Sequence, residues 1–280
     1  MDTECLSFAD VPGASRLFLD FLQCSPQLRT FYPVAPRTID ELSAHARTRT
    51  FDPAIRAAAA AILGRQNRAW HAGEQTIANI ERLRRGACAI VTGQQVGLFL
   101  GPAYTLYKAI TAVRIARDLT SGGVDAVPVF WMASEDHDLA EVNHVYLPDA
   151  SGELRRLQTA SHGALEQPVG SVVLDEDVAG LVAQLVDVVG SSPLLDAVAE
   201  SYRPGRTFTA AFALLMTRLF SQFGLILLDP ADPELHKLAR PTLESAAAHS
   251  DDLNQQLLAR DQELEAAGYH AQVKVVNSST

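Results

Sequence analysis

Residues 87–144 constrain this chain more than any other stretch. A short apolar run, Ala87–Thr92, breaks into Gly93-Gln94-Gln95-Val96-Gly97, and Gly101-Pro102 then opens a long amphipathic segment. A second apolar run, Val127–Met132, ends in Ser134-Glu135-Asp136-His137-Asp138, with Asn143-His144 close behind. An apolar run without polar alternation reads as a parallel strand buried on both faces, so Ala87–Thr92 is expected to lie centrally in its sheet. The whole stretch spells strand, glycine-rich turn, helix, strand, polar loop: one βαβ unit of an α/β fold. Ligands of open parallel sheets bind at the carboxyl ends of the strands. Function is therefore sought where the 93–101 and 134–144 loops emerge.

The same periodicities order the rest of the chain. Phe18, Phe21 and Leu22 predict a short helix, and Tyr32-Pro33 through Pro36 a loop, with Phe31-Tyr32 read as core. Ile55, Ala58, Ala59 and Ile62 form a helical stripe that Gly64 is expected to end, and Ile77, Ile80 and Leu83 resume the period after Gly73. Pro102 suits a first helical turn, where its missing N–H costs nothing. Leu106, Ile110 and Val113 are the expected buried stripe of that helix, and Tyr104 and Lys108 share another face. Val145–Leu147 and Glu153–Thr159 flank a turn and predict a β-hairpin. Val172–Leu174 reads as a further strand and Leu181–Val189 as a helix. Phe208, Phe212, Leu215 and Leu219 mark a helix leading into a strand at Leu225–Leu228, which ends in Asp229-Pro230. Residues 233–267 are mostly helical, and Gln272–Val276 reads as a short strand before Asn277-Ser278-Ser279-Thr280. The expected organisation is a first part of the core over 1–145, an insertion over 146–200, and a continuation of the core over 201–280. A strand pattern running straight into turn residues predicts further elements beyond it, so the chain is expected to be part of a longer protein.

Of the 280 residues 48% are hydrophobic, enough for a sizeable core and against disorder. The formal net charge of −10 argues against a nucleic-acid scaffold, which needs a clustered positive surface. Cys5, Cys24 and Cys88 form no CxxC pair, the usage of a reducing compartment. The acidic start lacks signal-peptide features, and no apolar run approaches the ~18–20 residues of a membrane span. A cytoplasmic protein is expected.

Two groups of residues carry chemistry. In the first, Gly93, Gly97 and Gly101 permit a sharp turn and close approach of a ligand to the backbone, while the following helix aims free N–H groups at the loop. The spacing is neither a Walker loop nor GxGxxG. Gln94 and Gln95 add amide donors and acceptors. Lys108 is a candidate anion contact as well as an ordinary solvated lysine, and Tyr104 offers a polar tip. The second group, Glu135-Asp136-His137-Asp138, packs ionisable residues directly after a buried strand. His137 exchanges protons near neutrality and is the candidate general acid/base, with Asp136 or Asp138 to orient it. Neighbouring residues cannot all face one point, so at most two would ligate a cation, and no metal is expected. Asn143 and His144 are candidate second contacts. Asp229, at another strand end, is either a site residue or a helix cap. No nucleophile elbow is present, and Cys88, inside a strand, is expected to be inert.

Thr92-Gly93-Gln94-Gln95-Val96-Gly97-Leu98-Phe99-Leu100-Gly101-Pro102-Ala103-Tyr104-Thr105-Leu106-Tyr107-Lys108 resembles a signature of the cysteine ligases of bacillithiol biosynthesis, the BshC family. Val127 through Asp138, with Glu141-Val142-Asn143-His144, resembles a second. Gly224–Pro230 and Gly268-Tyr269-His270 match later landmarks. The resemblance implies a Rossmann-like parallel core with a connecting-peptide insertion. It implies a carbon–nitrogen ligase joining cysteine to the amino group of glucosaminyl malate, giving the low-molecular-weight thiol bacillithiol. Gly93, Gln94, Gln95 and Tyr104 would line the core cleft, and Glu135, Asp136, His137 and Asn143 would face it. ATP or another nucleotide is the expected activator of the carboxylate, although no ATP-binding motif is present. Family members continue past residue 280 into the rest of the core and a coiled coil associated with dimer formation, so this chain is expected to be their N-terminal portion. The readings weighed against the ligase are a non-catalytic nucleotide- or metabolite-binding module and a metal-dependent hydrolase built on 135–144.

Overall fold

A computed structural model describes residues 5–271, 273 and 275. They divide into two compact units: Thr38–Leu238 is one, and the residues up to Arg37 with those from Ala239 onward are the other. In chain order the elements are α1 (Arg16–Leu22), α2 (Ile39–Arg47), α3 (Pro53–Ala69), α4 (Glu74–Arg85), β1 (Cys88–Gln95), α5 (Tyr104–Ser121), β2 (Ala126–Ala133), α6 (Leu139–Val142), β3 (His144–Pro148), β4 (Leu154–Gln158), α7 (Asp177–Val189), α8 (Pro193–Ser201), α9 (Phe208–Leu219), β5 (Ile226–Leu228), α10 (Pro233–Ala248) and α11 (Ser250–Ala266).

Among the described residues the large unit is built on a parallel sheet of order β1-β2-β5. The register pairs Cys88 with Ala126 and Gln95 with Ala133, so the glutamines stand beside the start of the 134–138 loop. β2 is central. On one of its faces Phe130 and Met132 pack with Ala109 of α5 and with Phe212 and Met216 of α9; on the other, Val127 and Val129 meet Ala60 and Leu63 of α3 and Ile80 of α4. The expected βαβ unit is β1–α5–β2. Local signals explain the helix ends. Asp52 accepts from the Ala54 and Ile55 N–H groups ahead of Pro53 in the first turn of α3, Thr38 and Glu41 form a capping box on α2, and Thr207 caps α9.

Four details differ from the sequence reading. β1 is an edge strand rather than a central one: Ala89 and Val91 are exposed because α3 and α4 cover β2 and β5 on that face and stop short of β1. The buried stripe of α5 is Thr105, Ala109, Ala112, Ala116 and Leu119; Leu106 and Val113 are partly buried, and Ile110 is exposed. The small residues let α5 lie close on the sheet, which turns the larger ones to its flanks. α3 runs through Gly64, which is buried, and ends beyond it at Ala69. Val172–Leu174 contributes a single bridge, Val173 to Thr207, instead of a strand. Residues 146–200 hold most of the β3–β4 hairpin together with α7 and α8, and α8 lacks a sequence forecast. Leu157, Leu181, Leu185, Leu195 and Val198 join the same cluster as Phe130 and Phe212, so this segment and the sheet share one core.

In the smaller unit Ser15 caps α1, the Tyr269 hydroxyl donates to Asp20 at 2.8 Å, and Phe31 meets Tyr269 edge-on. Tyr32 is exposed. Of the expected strand Gln272–Val276, residues 272, 274 and 276 lie outside those described.

Candidate active site

The carboxyl ends of β1 and β2 bring the two predicted loops together through a chain of amides. The Gln95 side-chain nitrogen donates to Asp136 Oδ2 at 2.8 Å and to Glu141 Oε2 at 2.9 Å. The Gln94 side-chain nitrogen donates to Gln95 Oε1 and to the Tyr104 hydroxyl, each at 3.2 Å. Lys108 Nζ donates to Gln94 Oε1 at 2.9 Å and to the Gly93 carbonyl at 3.3 Å, and stands 5.0 Å from the Tyr104 ring centre. All four amide hydrogens are thus engaged, in a line that starts at a cation and ends at two carboxylates. Each amide dipole points the way those charges demand, so the order is self-consistent. The glutamines are therefore committed to protein partners and present no spare N–H to an anion.

Asp136 is the best supported acid. The Asp138 N–H, then the Gln95 amide, then the backbone N–H and charge of His137 hold its carboxyl below the usual carboxylate range. Asp138 is spent as the cap of α6, accepting from the Glu141 N–H at 3.1 Å. Glu135 turns to His236 Nε2 at 2.7 Å. His137 is exposed, and its ring makes no hydrogen bond among the described residues. Asn143 Oδ1 lies 3.2 Å from His144 Nδ1, and His144 packs edge-on against Tyr146. Asp229 accepts from the buried Ser134 hydroxyl at 2.5 Å and from the Ala231 N–H, tying the ends of β2 and β5. Gly93 is fixed by space: a Cβ there would lie 2.5 Å from the Trp131 carbonyl oxygen. Gly97 faces Gly101 backbone to backbone across the neck of the loop between them. Cys88 is half-buried, and burial pushes its thiol up, in keeping with an inert residue.

Three supporting residues escaped the sequence reading of the site. Glu141 shares the Gln95 amide with Asp136; its signal was the Asp138-x-x-Glu141 spacing of a helix cap. Gly170 donates its N–H to the Ser134 carbonyl at 2.9 Å and Val169 donates to the Asp136 carbonyl at 2.6 Å, so the 169–171 turn props the acidic loop. A Cβ on Gly170 would sit 2.5 Å from Ser134 Cβ. Tyr202 reaches the 97–101 loop from the end of α8. Neither had a local signal, because both act across long stretches of sequence.

Beside the amide chain opens a cavity of about 940 Å³. Gln94, Gln95, Tyr104, Glu141 and His144 stand among its polar lining, and Leu185, Leu195, Val198 and Leu215 among its apolar walls. A largely apolar hollow with few convergent polar groups has the usual make-up of a small-molecule site.

The whole chain, residues 1–280, matches the family described as Bacillithiol biosynthesis BshC, N-terminal Rossmann-like domain. The chain belongs to this family. Among its relatives, each named "Putative cysteine ligase BshC", that of Koribacter versatilis is 47% identical over 100% of this chain and 52% of its own length. That of Solibacter usitatus is 43% identical over 98% of this chain and 51% of its own. That of Geobacillus thermodenitrificans is 32% identical over 95% of this chain and 50% of its own. The chain spans about half the length of these curated relatives. The parallel sheet with flanking helices is the Rossmann-like core of the BshC domain. Among the described residues, no helix is long and apolar enough to cross a membrane, and no group of three or more His, Cys, Asp or Glu side chains converges as a metal site.

Proposed function

We propose that this BshC domain supplies the cleft in which cysteine is joined to the amino group of glucosaminyl malate, giving bacillithiol. The observation that carries the reading is the pair of carboxylates, Asp136 and Glu141, gathered on one Gln95 nitrogen, with Gln95 and Glu141 both lining the cavity. Amide formation needs an amine that arrives as an ammonium ion, sheds a proton and attacks an activated carboxyl carbon. Ionised carboxylates at a cleft mouth attract the ammonium, and Asp136 is held ionised by its hydrogen bonds. His137, on the same loop and open to solvent, then takes the proton as the amine attacks. Gln94, Gln95, Tyr104 and Lys108 fix the position of the carboxylates; His144 lines the cavity, and Asn143 contacts the His144 ring. Activation of the cysteine carboxylate calls for a co-reactant of the nucleotide class. The cavity lining includes no Lys or Arg, so these walls do not fit a triphosphate.

The test is product formation from cysteine and glucosaminyl malate with ATP, read by mass spectrometry, using this chain joined to the remaining length that its relatives carry. Loss of product in Asp136→Asn and in His137→Ala, with the fold retained, supports the reading. Undiminished product in both removes it, and cysteine binding without any product points to a binding module instead.

A further inference from the structure

We propose that Tyr202 is a positioning residue for this cleft: its buried hydroxyl fixes the 97–101 loop and, through the start of α5, the contacts that orient Gln94 and Gln95. The proposal rests on the reading of the cleft given above. Tyr202 is 1% exposed. Its hydroxyl donates to the Gly97 carbonyl at 2.9 Å and accepts from the Leu100 N–H at 3.1 Å. The Leu100 N–H also points at the Gly97 carbonyl, at 3.2 Å, so the phenol oxygen, the Leu100 N–H and the Gly97 carbonyl close a ring of three hydrogen bonds. The Phe99 ring packs edge-on against the Tyr202 ring, with centres 5.0 Å apart. Burial pushes the phenol up, so the hydroxyl keeps the proton that it donates.

The loop needs such a hold. Phe99 and Leu100 adopt φ of +49° and +73°, the left-handed region that side chains disfavour. Such conformations persist where surrounding contacts over-determine them. The hydroxyl binds at the neck, where a Cβ on Gly97 would come within 3.1 Å of the Gly101 Cα. α5 starts three residues past Gly101, and its first turns carry Tyr104 and Lys108, which grip Gln94. Gln94 in turn donates to Gln95, whose amide gathers Asp136 and Glu141. Tyr202 itself touches none of these polar groups and acts through the loop.

Tyr202→Phe keeps the ring and its packing on Phe99 and removes both hydrogen bonds. In the isotopically labelled chain, the Leu100 amide is expected to exchange about tenfold faster, the loss of one hydrogen bond's protection. The side-chain amide resonances of Gln94 and Gln95 are expected to move, and the affinity for free cysteine to fall about fivefold. Unmoved glutamine resonances with wild-type cysteine affinity overturn the proposal, even where the melting temperature drops, because that is the behaviour of a purely structural tyrosine. If the wild-type chain binds no cysteine, the functional reading of the cleft fails, and the glutamine resonances decide for Tyr202: movement supports it, constancy overturns it. Should Tyr202→Phe not fold, 3-fluorotyrosine at position 202 keeps the ring and both bonds while making the phenol a stronger donor. The same glutamine resonances then move, or the proposal is wrong.

Discussion

Val91 and Val129 are the same residue type, paired directly across β1 and β2, yet Val129 is 3% exposed and Val91 58%. Both strands are eight residues long, lie in the same parallel sheet and are apolar around these valines. What separates them is the placement of α3 and α4, and polar side chains decide that placement. The Asn67 amide, fully buried on α3, donates to the Leu227 carbonyl at 2.8 Å and accepts from the Leu227 N–H at 3.0 Å. Gln66 does the same for Asp229, at 3.0 and 3.1 Å. Thr76 and Asn79 of α4 reach the Leu225 and Gly224 carbonyls. Two amides of α3 thus imitate a further strand along the outer edge of β5, and with Thr76 and Asn79 of α4 they draw both helices to that side of the sheet. β1 lies at the opposite edge, with Val91 and Trp131 left open beside it. An uncovered strand edge is a place where chains associate. Apolar sequence thus makes a strand, while the neighbours that cover it are recruited by hydrogen bonds elsewhere.

That contrast can be broken at β5 first. Asn67→Leu strands a buried donor and a buried acceptor of Leu227, and urea unfolding should show a loss on the order of 2–4 kcal/mol. If the loss is negligible, side-chain amides do not secure the covered edge. Next comes the paired comparison itself. Val129→Ala should cost about 2 kcal/mol by the same measurement, since it opens a cavity in a sealed layer. Gln95→Ala tests the strand ends and should cost about 1 kcal/mol of net hydrogen bonding near neutral pH. It also carries a pH signature. Asp136 has a lowered pKa in the folded chain, so its contribution is fully present above the ordinary carboxylate value of ~3.9 and fades as pH falls below it. Removing the Gln95 donor should raise the Asp136 titration midpoint, followed by carboxyl carbon NMR, and shrink the acid-side loss of stability. The smallest effect belongs to Val91→Ala, within about 0.5 kcal/mol of wild type. A large loss there would mean that the exposed face of β1 is covered in solution.

The candidate site was legible where neighbouring residues in sequence are also neighbours in space. Gln94 and Gln95 end β1, Asp136 follows the end of β2, and Tyr104 and Lys108 lie in the first turns of α5, and the strand–turn–helix pattern is enough to place them. Glu141 was half-legible, as the fourth residue of a capping pattern. Tyr202, Gly170 and Ser134 were not, because each earns its place through a contact with residues far away in the chain. Leu106, Ile110 and Val113 misled for a related reason: helical period fixes which residues share a face but not which face meets the sheet. There small residues won, since Ala109, Ala112 and Ala116 permit the closer approach.

Local periodicity and the stereochemistry of glycine and proline are enough to specify the βαβ unit, the parallel class of sheet and the two polar turns at its carboxyl ends. The tertiary structure decided which strand is covered, where the amide chain points each carboxylate, and which buried hydroxyl holds the strained loop. Those outcomes depend on hydrogen-bonding groups meeting across separations of 41 residues, as Gln95 meets Asp136, to 163, as Gln66 meets Asp229, and no local pattern encodes a partner at such distances.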